Sequence, residues 1–190
     1  MSKNPSAQLF PSKTTFLFIR MGVTKSLRMK TPLLTVSLSL VLAFSACADS
    51  SLILNGVHNC CKKCDTGISE AVAKVAGATA QVEKNKVTIT AKDDATTKQA
   101  MASLVAAGYY GEGATAPEVA DAKVKSATVT GLHLCCGKCV TATETALKTV
   151  AGFSSHTATK GAASFTVEGD FSTKELTTAL HNAGLHGTIK

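Results

Sequence analysis

Two nine-residue strings hold the residues of this chain that can do chemistry. "GVHNCCKKC" fills 56–64 and "GLHLCCGKC" fills 131–139, each with a glycine, a histidine and three cysteines at matching places. Cys61 and Cys64, like Cys136 and Cys139, are spaced to straddle the start of a helix. Free N–H groups and the positive end of the helix dipole favour thiolate there. Lys62, Lys63 and Lys138 push the same way. Two soft thiolates on one loop suit Cu(I), which accepts two or three sulfurs. Adding His58 and Cys60, or His133 and Cys135, gives a Cys3His set, which suits tetrahedral Zn(II). Four ligands within seven residues are hard to arrange, because neighbours such as Cys60 and Cys61 on extended chain point to opposite sides. Three of the four are expected to bind together, with Cys61 and Cys64 always included.

Other readings of these cysteines compete. A staple joining residues three apart closes a very small loop and adds little stability, and three thiols per string resist local pairing. The seven cysteines include Cys47, which lies in the leader, and none of the other six falls outside the two strings. A Cys-x-x-Cys pair at a helix N-terminus is also the thiol–disulfide redox arrangement, but the order of elements is not thioredoxin-like. A third reading is a structural or partner-binding module of an envelope complex, with metal as a clip between the two domains. His156 and His181 have no counterpart in the other copy and read as surface residues. His186 matches Tyr110 and is not counted as a ligand.

Charge removes one class of partner. The formal net charge is +7, but Lys3, Lys13, Arg20, Lys25, Arg28 and Lys30 precede Asp49 with no acid among them. The remaining 14 Lys/Arg face 13 Asp/Glu, so the body is near neutral and offers no basic patch for nucleic acid. The basic leader ends in Arg28 and Lys30, an apolar run and small residues, the pattern of a secretory signal. Cleavage is expected after Ala48, with Met29 as the signal's start. The run is too short for a membrane span, which needs about 20 apolar residues. Cys47 as a lipidated first residue is the rival, disfavoured by Phe44 where leucine is preferred. The mature protein is therefore expected to be exported, periplasmic or secreted, without a transmembrane domain.

The strings belong to a longer repeat. Gly56, Val75, Ala76 and Gly77 match Gly131, Val150, Ala151 and Gly152, and "AGYYG" (107–111) matches "AGLHG" (183–187). Alternation around Leu52/Leu54 and Ala127/Val129 predicts strands. Ile68, Val72 and Val75 recur at helical spacing, as do Ala146, Leu147 and Val150, with stops at Ala76-Gly77 and Ala151-Gly152. Hairpins are expected to turn at Asn85-Lys86 and Lys160-Gly161. Second helices follow from "DATTKQAMASLVAAG" and "DFSTKELTTALHNAG", and short strands at Tyr109–Gly111 and Leu185–Ile189 close the copies. The fold class expected is α+β: two tandem ferredoxin-like βαββαβ sandwiches after a signal segment. The expected boundaries are a leader at 1–48, a first domain at 49–114, a linker at 115–125 and a second domain at 126–190.

A βαββαβ unit with Cys-x-x-Cys between its first strand and first helix resembles the heavy-metal-associated domain. That family includes copper chaperones, N-terminal modules of copper-transporting ATPases and the periplasmic mercuric-ion binding protein. The resemblance rests on Gly56 with Cys61 and Cys64, Gly131 with Cys136 and Cys139, and the two "AG..G" ends. It implies a non-enzymatic protein that sequesters or hands over a soft ion, Cu(I) first, Zn(II) or Hg(II) next. The implied partner is a metal transporter or another metal-binding protein. The family's string is Gly-Met-x-Cys-x-x-Cys. Here Gly56 stands five positions before Cys61, with His58 and Cys60 in the longer loop. Val57 and Leu132 stand in for the buried methionine.

Overall fold

The structure, a computed structural model, describes residues 49–190; the expected signal segment and Cys47 lie outside the described residues. Strand β1 (Ser50–Leu54), helix α1 (Lys62–Ala73), strands β2 (Ala78–Glu83) and β3 (Lys86–Ala91) and helix α2 (Asp94–Ala106) make the first half. Strand β4 (Lys123–Thr130), helix α3 (Gly137–Leu147), strands β5 (Phe153–His156) and β6 (Ser164–Ser172), helix α4 (Thr173–Asn182) and strand β7 (Thr188–Ile189) make the second. The strands form two antiparallel sheets, ordered β1-β3-β2 and β5-β6-β4-β7. The second order is that of the split βαβ motif. Mixed α/β structure with four helices and two antiparallel sheets is thus compatible with a ferredoxin-like fold.

Period-two alternation builds each sheet. In "KVTITA" of β3, Val87, Ile89 and Ala91 are buried between more exposed neighbours. That face meets Ile68 and Val72 of α1 and Ala100, Met101 and Leu104 of α2. In the second half Val129, Phe165, Val167 and Phe171 meet Leu147, Leu176 and Leu180. Caps fix the second helices of both halves. The Asp93 carboxylate accepts the Thr96 N–H at 2.7 Å, and the Ser172 hydroxyl accepts from the N–H groups of Lys174 and Glu175. The first helices have no side-chain cap: Cys61 and Cys136 occupy their N-cap positions in extended conformation.

Several elements depart from expectation. The first hairpin turns at Lys84-Asn85, one residue early, because Glu83 pairs with Lys86 and Lys84 takes φ +54°. Helices α1 and α3 end at Ala73 and Leu147, and a short turn then leads to Gly77 and Gly152. β4 begins at Lys123, where Lys123 and Val124 already pair with Ser172 and Phe171. The expected closing strand at Tyr109–Gly111 is absent as a strand. Glu112 makes one bridge to Asn55, while Tyr109 bridges to Leu185 of the other half.

That last bridge joins the halves. The Tyr110 N–H donates to Gly184 O at 3.1 Å, and the His186 N–H donates to Gly108 O at 3.0 Å. Tyr110 and His186 are repeat counterparts, as are Gly108 and Gly184, so the pair of bonds is nearly two-fold symmetric. Gly184 O also accepts the His58 N–H at 3.1 Å. Both glycines have positive φ, +91° at Gly108 and +77° at Gly184. A Cβ on Gly108 would lie 2.5 Å from His133 N and 2.6 Å from Gly131 O, and one on Gly184 would collide with Gly56 O and His58 N. Each glycine therefore lets its tail touch the cysteine loop of the opposite half.

Gly184→Ala is expected to destabilise the fold by about 3 kcal/mol or more, combining left-handed backbone strain with a steric clash. Gly161 has a similar φ of +79° but open space around its Cβ direction, so Gly161→Ala should cost only about 1–2 kcal/mol. Urea unfolding of the two variants measures the difference; equal losses would show that the tail–loop contact contributes nothing.

Candidate metal centre

The two cysteine loops meet across this junction. All six cysteines of the described residues are free thiols, and the shortest Sγ–Sγ separation is 3.4 Å, far beyond a disulfide bond. Within the first loop Cys64 Sγ lies 3.7 Å from Cys60 Sγ and 3.9 Å from Cys61 Sγ. Within the second, Cys139 Sγ lies 3.6 Å from Cys135 Sγ and 3.7 Å from Cys136 Sγ. Five further contacts cross between loops. Cys60 approaches Cys136 at 3.4 Å and Cys139 at 3.7 Å; Cys135 approaches Cys61 at 3.8 Å and Cys64 at 3.6 Å; Cys61 lies 4.0 Å from Cys136. The expected ligand sets each lie within one loop, with a metal clip between the two domains as the rival; the structure gathers both loops into one thiol cluster.

Local backbone explains how each loop presents its thiols. Gly56 and Gly131 start the loops with φ of +72° and +75°. Val57 and Leu132 then turn inward and are buried, as their place in the string implies. The Val57 N–H donates to Asn85 O, and the Asn59 amide donates to Asp65 Oδ1 and to Lys84 O, tying the first loop to α1 and the β2–β3 turn. In the second loop the Gly161 N–H donates to Leu134 O at 2.7 Å. Cys61 O and Cys136 O accept the N–H groups of Cys64 and Cys139, starting each helix. Uncapped first turns leave N–H groups directed at the thiols.

Electrostatics divides the thiols into two kinds. The Cys64 N–H holds the Cys61 thiol below its usual range, and the Cys139 N–H brings Cys136 down to about 6. Cys60 and Cys135 are displaced upward, first by burial and then by the thiols around them. Burial also raises Cys139. Lys62, Lys63 and Lys138 are exposed at the helix starts. Lys62, Lys63 and Glu70 line an open groove that reaches His133 and Cys135.

The histidines separate. A ring nitrogen of His58 lies within 4.8 Å of the sulfurs of Cys60 and Cys139, so His58 can join the thiols. His133 enters no such group and instead packs against the ring of Tyr109 at 4.6 Å. The Nε2 atoms of both are buried without a hydrogen-bond partner. Tyr109 is a contributor that sequence reasoning missed: it is fully buried beside the centre, and its hydroxyl donates to Cys64 O at 3.4 Å. Its one signal was the Tyr/Leu mismatch between "AGYYG" and "AGLHG". His181, read as a surface residue, is half-buried. It stacks on Tyr110 with ring centres 3.6 Å apart, and its Nε2 lies 2.9 Å from His186 Nδ1. His156 accepts the Ala158 N–H within its own loop.

No protein-family model and no curated protein sequence matches the chain. Among solved structures it is similar to the solution structure of the N-terminal soluble domains of Bacillus subtilis CopA. Identity is 17%, covering 75% of this chain and 95% of that one, with a TM-score of 0.29. At that score the superposition is loose, and the functional reading rests on the thiols themselves.

The Tyr110–His181–His186 stack sits at the junction that brings the loops together, and its titration has a definite sign. Burial, then the nearby His186, lowers His181 from 6.5 to about 4, and burial also lowers His186. Below pH 6.5 the unfolded chain therefore binds more protons than the folded one. The stability from a neutral His181 is full above pH 6.5 and is lost as pH falls toward 4. His58 and His133 shift the same way, both chiefly through burial. Urea midpoints measured from pH 7.5 to pH 4 should fall, and fall less steeply in His181→Gln; parallel slopes would contradict this placement.

Proposed function

We propose that this chain is an exported, non-enzymatic protein that binds a soft heavy-metal ion and sequesters it or hands it on. The observation that supports this best is the gathering of six free thiols, each within 3.4–4.0 Å of others, at the starts of two helices. In this reading the two halves are tandem heavy-metal-associated-like domains. Cys60, Cys61, Cys64, Cys135, Cys136 and Cys139 are the ligands, with His58 within reach of Cys60 and Cys139. Cu(I) is the favoured cargo, because polarizable thiolates in excess over nitrogen and oxygen donors select it; Zn(II) and Hg(II) are the alternatives. His133 is the least supported member of the expected ligand set, since its ring faces Tyr109.

Transfer follows from the same chemistry. A thiol of a metal transporter or other metal-binding partner enters as one of the chain's own thiols leaves. The groove lined by Lys62, Lys63, Glu70, His133 and Cys135 gives it a charged approach. Export by the leader, to the periplasm or beyond, belongs to this reading. Among the described residues no helix is long and apolar enough to cross a membrane.

One observation favours a second reading. The lowered thiol of Cys136 beside Cys139 is the arrangement of a thiol–disulfide exchanger. The full chain, purified reduced and without oxygen, decides between them. Titration with Cu(I) against a chromophoric Cu(I) chelator should show stoichiometric, tight binding, with Zn(II) held more weakly. A chain that takes up no metal yet reduces insulin disulfides would establish the exchanger instead.

A further inference from the structure

The contacts among the six sulfurs have a definite shape. Cys60, Cys136 and Cys139 form one triangle, with sides of 3.4, 3.7 and 3.7 Å. Cys61, Cys64 and Cys135 form another, with sides of 3.9, 3.8 and 3.6 Å. Three contacts join them as rungs: Cys60 to Cys64 at 3.7 Å, Cys61 to Cys136 at 4.0 Å and Cys135 to Cys139 at 3.6 Å. The result is a trigonal prism. Exchanging each cysteine for its repeat counterpart turns one triangle into the other, so the prism shares the pseudo-two-fold symmetry of the tail junction.

Each triangle is crossed between halves. It takes the Cys-x-x-Cys pair of one half and the leading cysteine of the other. We propose that the chain holds two soft metal ions in one dinuclear centre, each bound by three sulfurs drawn from both halves. This rests on the metal-binding reading above and names the site within it.

Distances favour this arrangement over one central ion and over two-coordinate pairs; the same-loop set Cys60, Cys61 and Cys64 also lies close enough to share an ion, and the variants below separate the two. The centres of the two triangles lie about 2.1 and 2.2 Å from their sulfurs, close to a metal–thiolate bond of about 2.3 Å. One ion at the middle of the prism would sit about 2.8 Å from all six sulfurs, too far for such bonds. Two-coordinate binding by a Cys-x-x-Cys pair alone needs sulfurs about 4.6 Å apart, twice that bond length. The observed separations are 3.9 Å for Cys61–Cys64 and 3.7 Å for Cys136–Cys139. The crossed arrangement also accounts for the third cysteine in each string. Cys60 is nearest to Cys136, not to a cysteine of its own loop.

Two double variants of the full chain separate crossed from uncrossed sites. Cys60→Ser with Cys136→Ser damages one crossed triangle and leaves Cys61, Cys64 and Cys135 whole. Cys60→Ser with Cys64→Ser damages both crossed triangles, yet leaves Cys135, Cys136 and Cys139 whole if each loop binds its own ion. The probe is Cu(I), counted by native mass spectrometry and read by X-ray absorption for sulfur neighbours. The wild type should hold two ions, each with three sulfurs, and should show metal–metal scattering at less than about 4 Å, as in other two-metal sites. The first variant should keep one three-sulfur ion and the second none. The reverse pattern, equal behaviour of the two variants, or a wild-type load other than two ions overturns the crossed centre while leaving metal binding standing. Wild-type protein that binds no Cu(I) overturns the metal-binding reading itself. Should either variant fail to fold by circular dichroism, the wild-type spectrum decides alone: two-sulfur ions without metal–metal scattering overturn the proposal.

Discussion

The structure depends on a pair of backbone hydrogen bonds between the ends of its two halves, from Tyr110 to Gly184 and from His186 to Gly108. Each tail meets its counterpart before it reaches its own sheet, which Glu112 touches at Asn55 and β7 joins beside β4. Backbones approach so closely only because residues 108 and 184 are glycines with positive φ. The same bonds place the tail of each half against the cysteine loop of the other, through the His58 N–H to Gly184 O contact on one side and the packing of Gly108 on His133 N on the other. The contacts between the two sets of thiols follow from that approach. Without it Cys60 and Cys135 would lack the cross-loop neighbours that now surround them.

Two physical demands meet at the loops. A thiolate needs nearby positive potential, which the uncapped first turns of α1 and α3 supply to Cys61 and Cys136. A buried thiol resists ionising, as burial does to Cys60 and Cys135. A soft cation reconciles the two, because it replaces the thiol protons and compensates buried negative charge. His58 adds to the case, since it lies within reach of Cys60 and Cys139 and its buried Nε2 has no hydrogen-bond partner. Such an atom carries a free-energy cost unless a ligand or a shift of the loop satisfies it.

Much of the architecture was legible from local pattern. Alternation in "KVTITA" and helical spacing of Ile68 and Val72 report burial on one face, and the structure buries those residues. Val57 and Leu132 were readable as inward residues from their place after Gly56 and Gly131. The turn at Lys84-Asn85 was misplaced because lysine rarely adopts the positive φ that Lys84 takes. The closing strand of the first half was misplaced for another reason. Tyr109 and Tyr110 look like strand residues, but their partners belong to residues 184 and 185, and pairing at that sequence distance leaves no local trace. His181 was misread likewise, since Tyr110 and His186 cover it. The third cysteine in each string was the visible sign of the missing contact: Cys60 and Cys135 each touch cysteines of the opposite loop as well as their own.

The central claim is that the two cysteine loops share one cluster in the folded chain. Proton–proton contacts in the reduced, metal-free protein test it most directly. With cysteines selectively labelled, nuclear Overhauser spectra should connect the β-protons of Cys60 with those of Cys136 and Cys139, and those of Cys135 with Cys61 and Cys64. Contacts confined to residues of the same loop would contradict the account and return the chain to two separate sites.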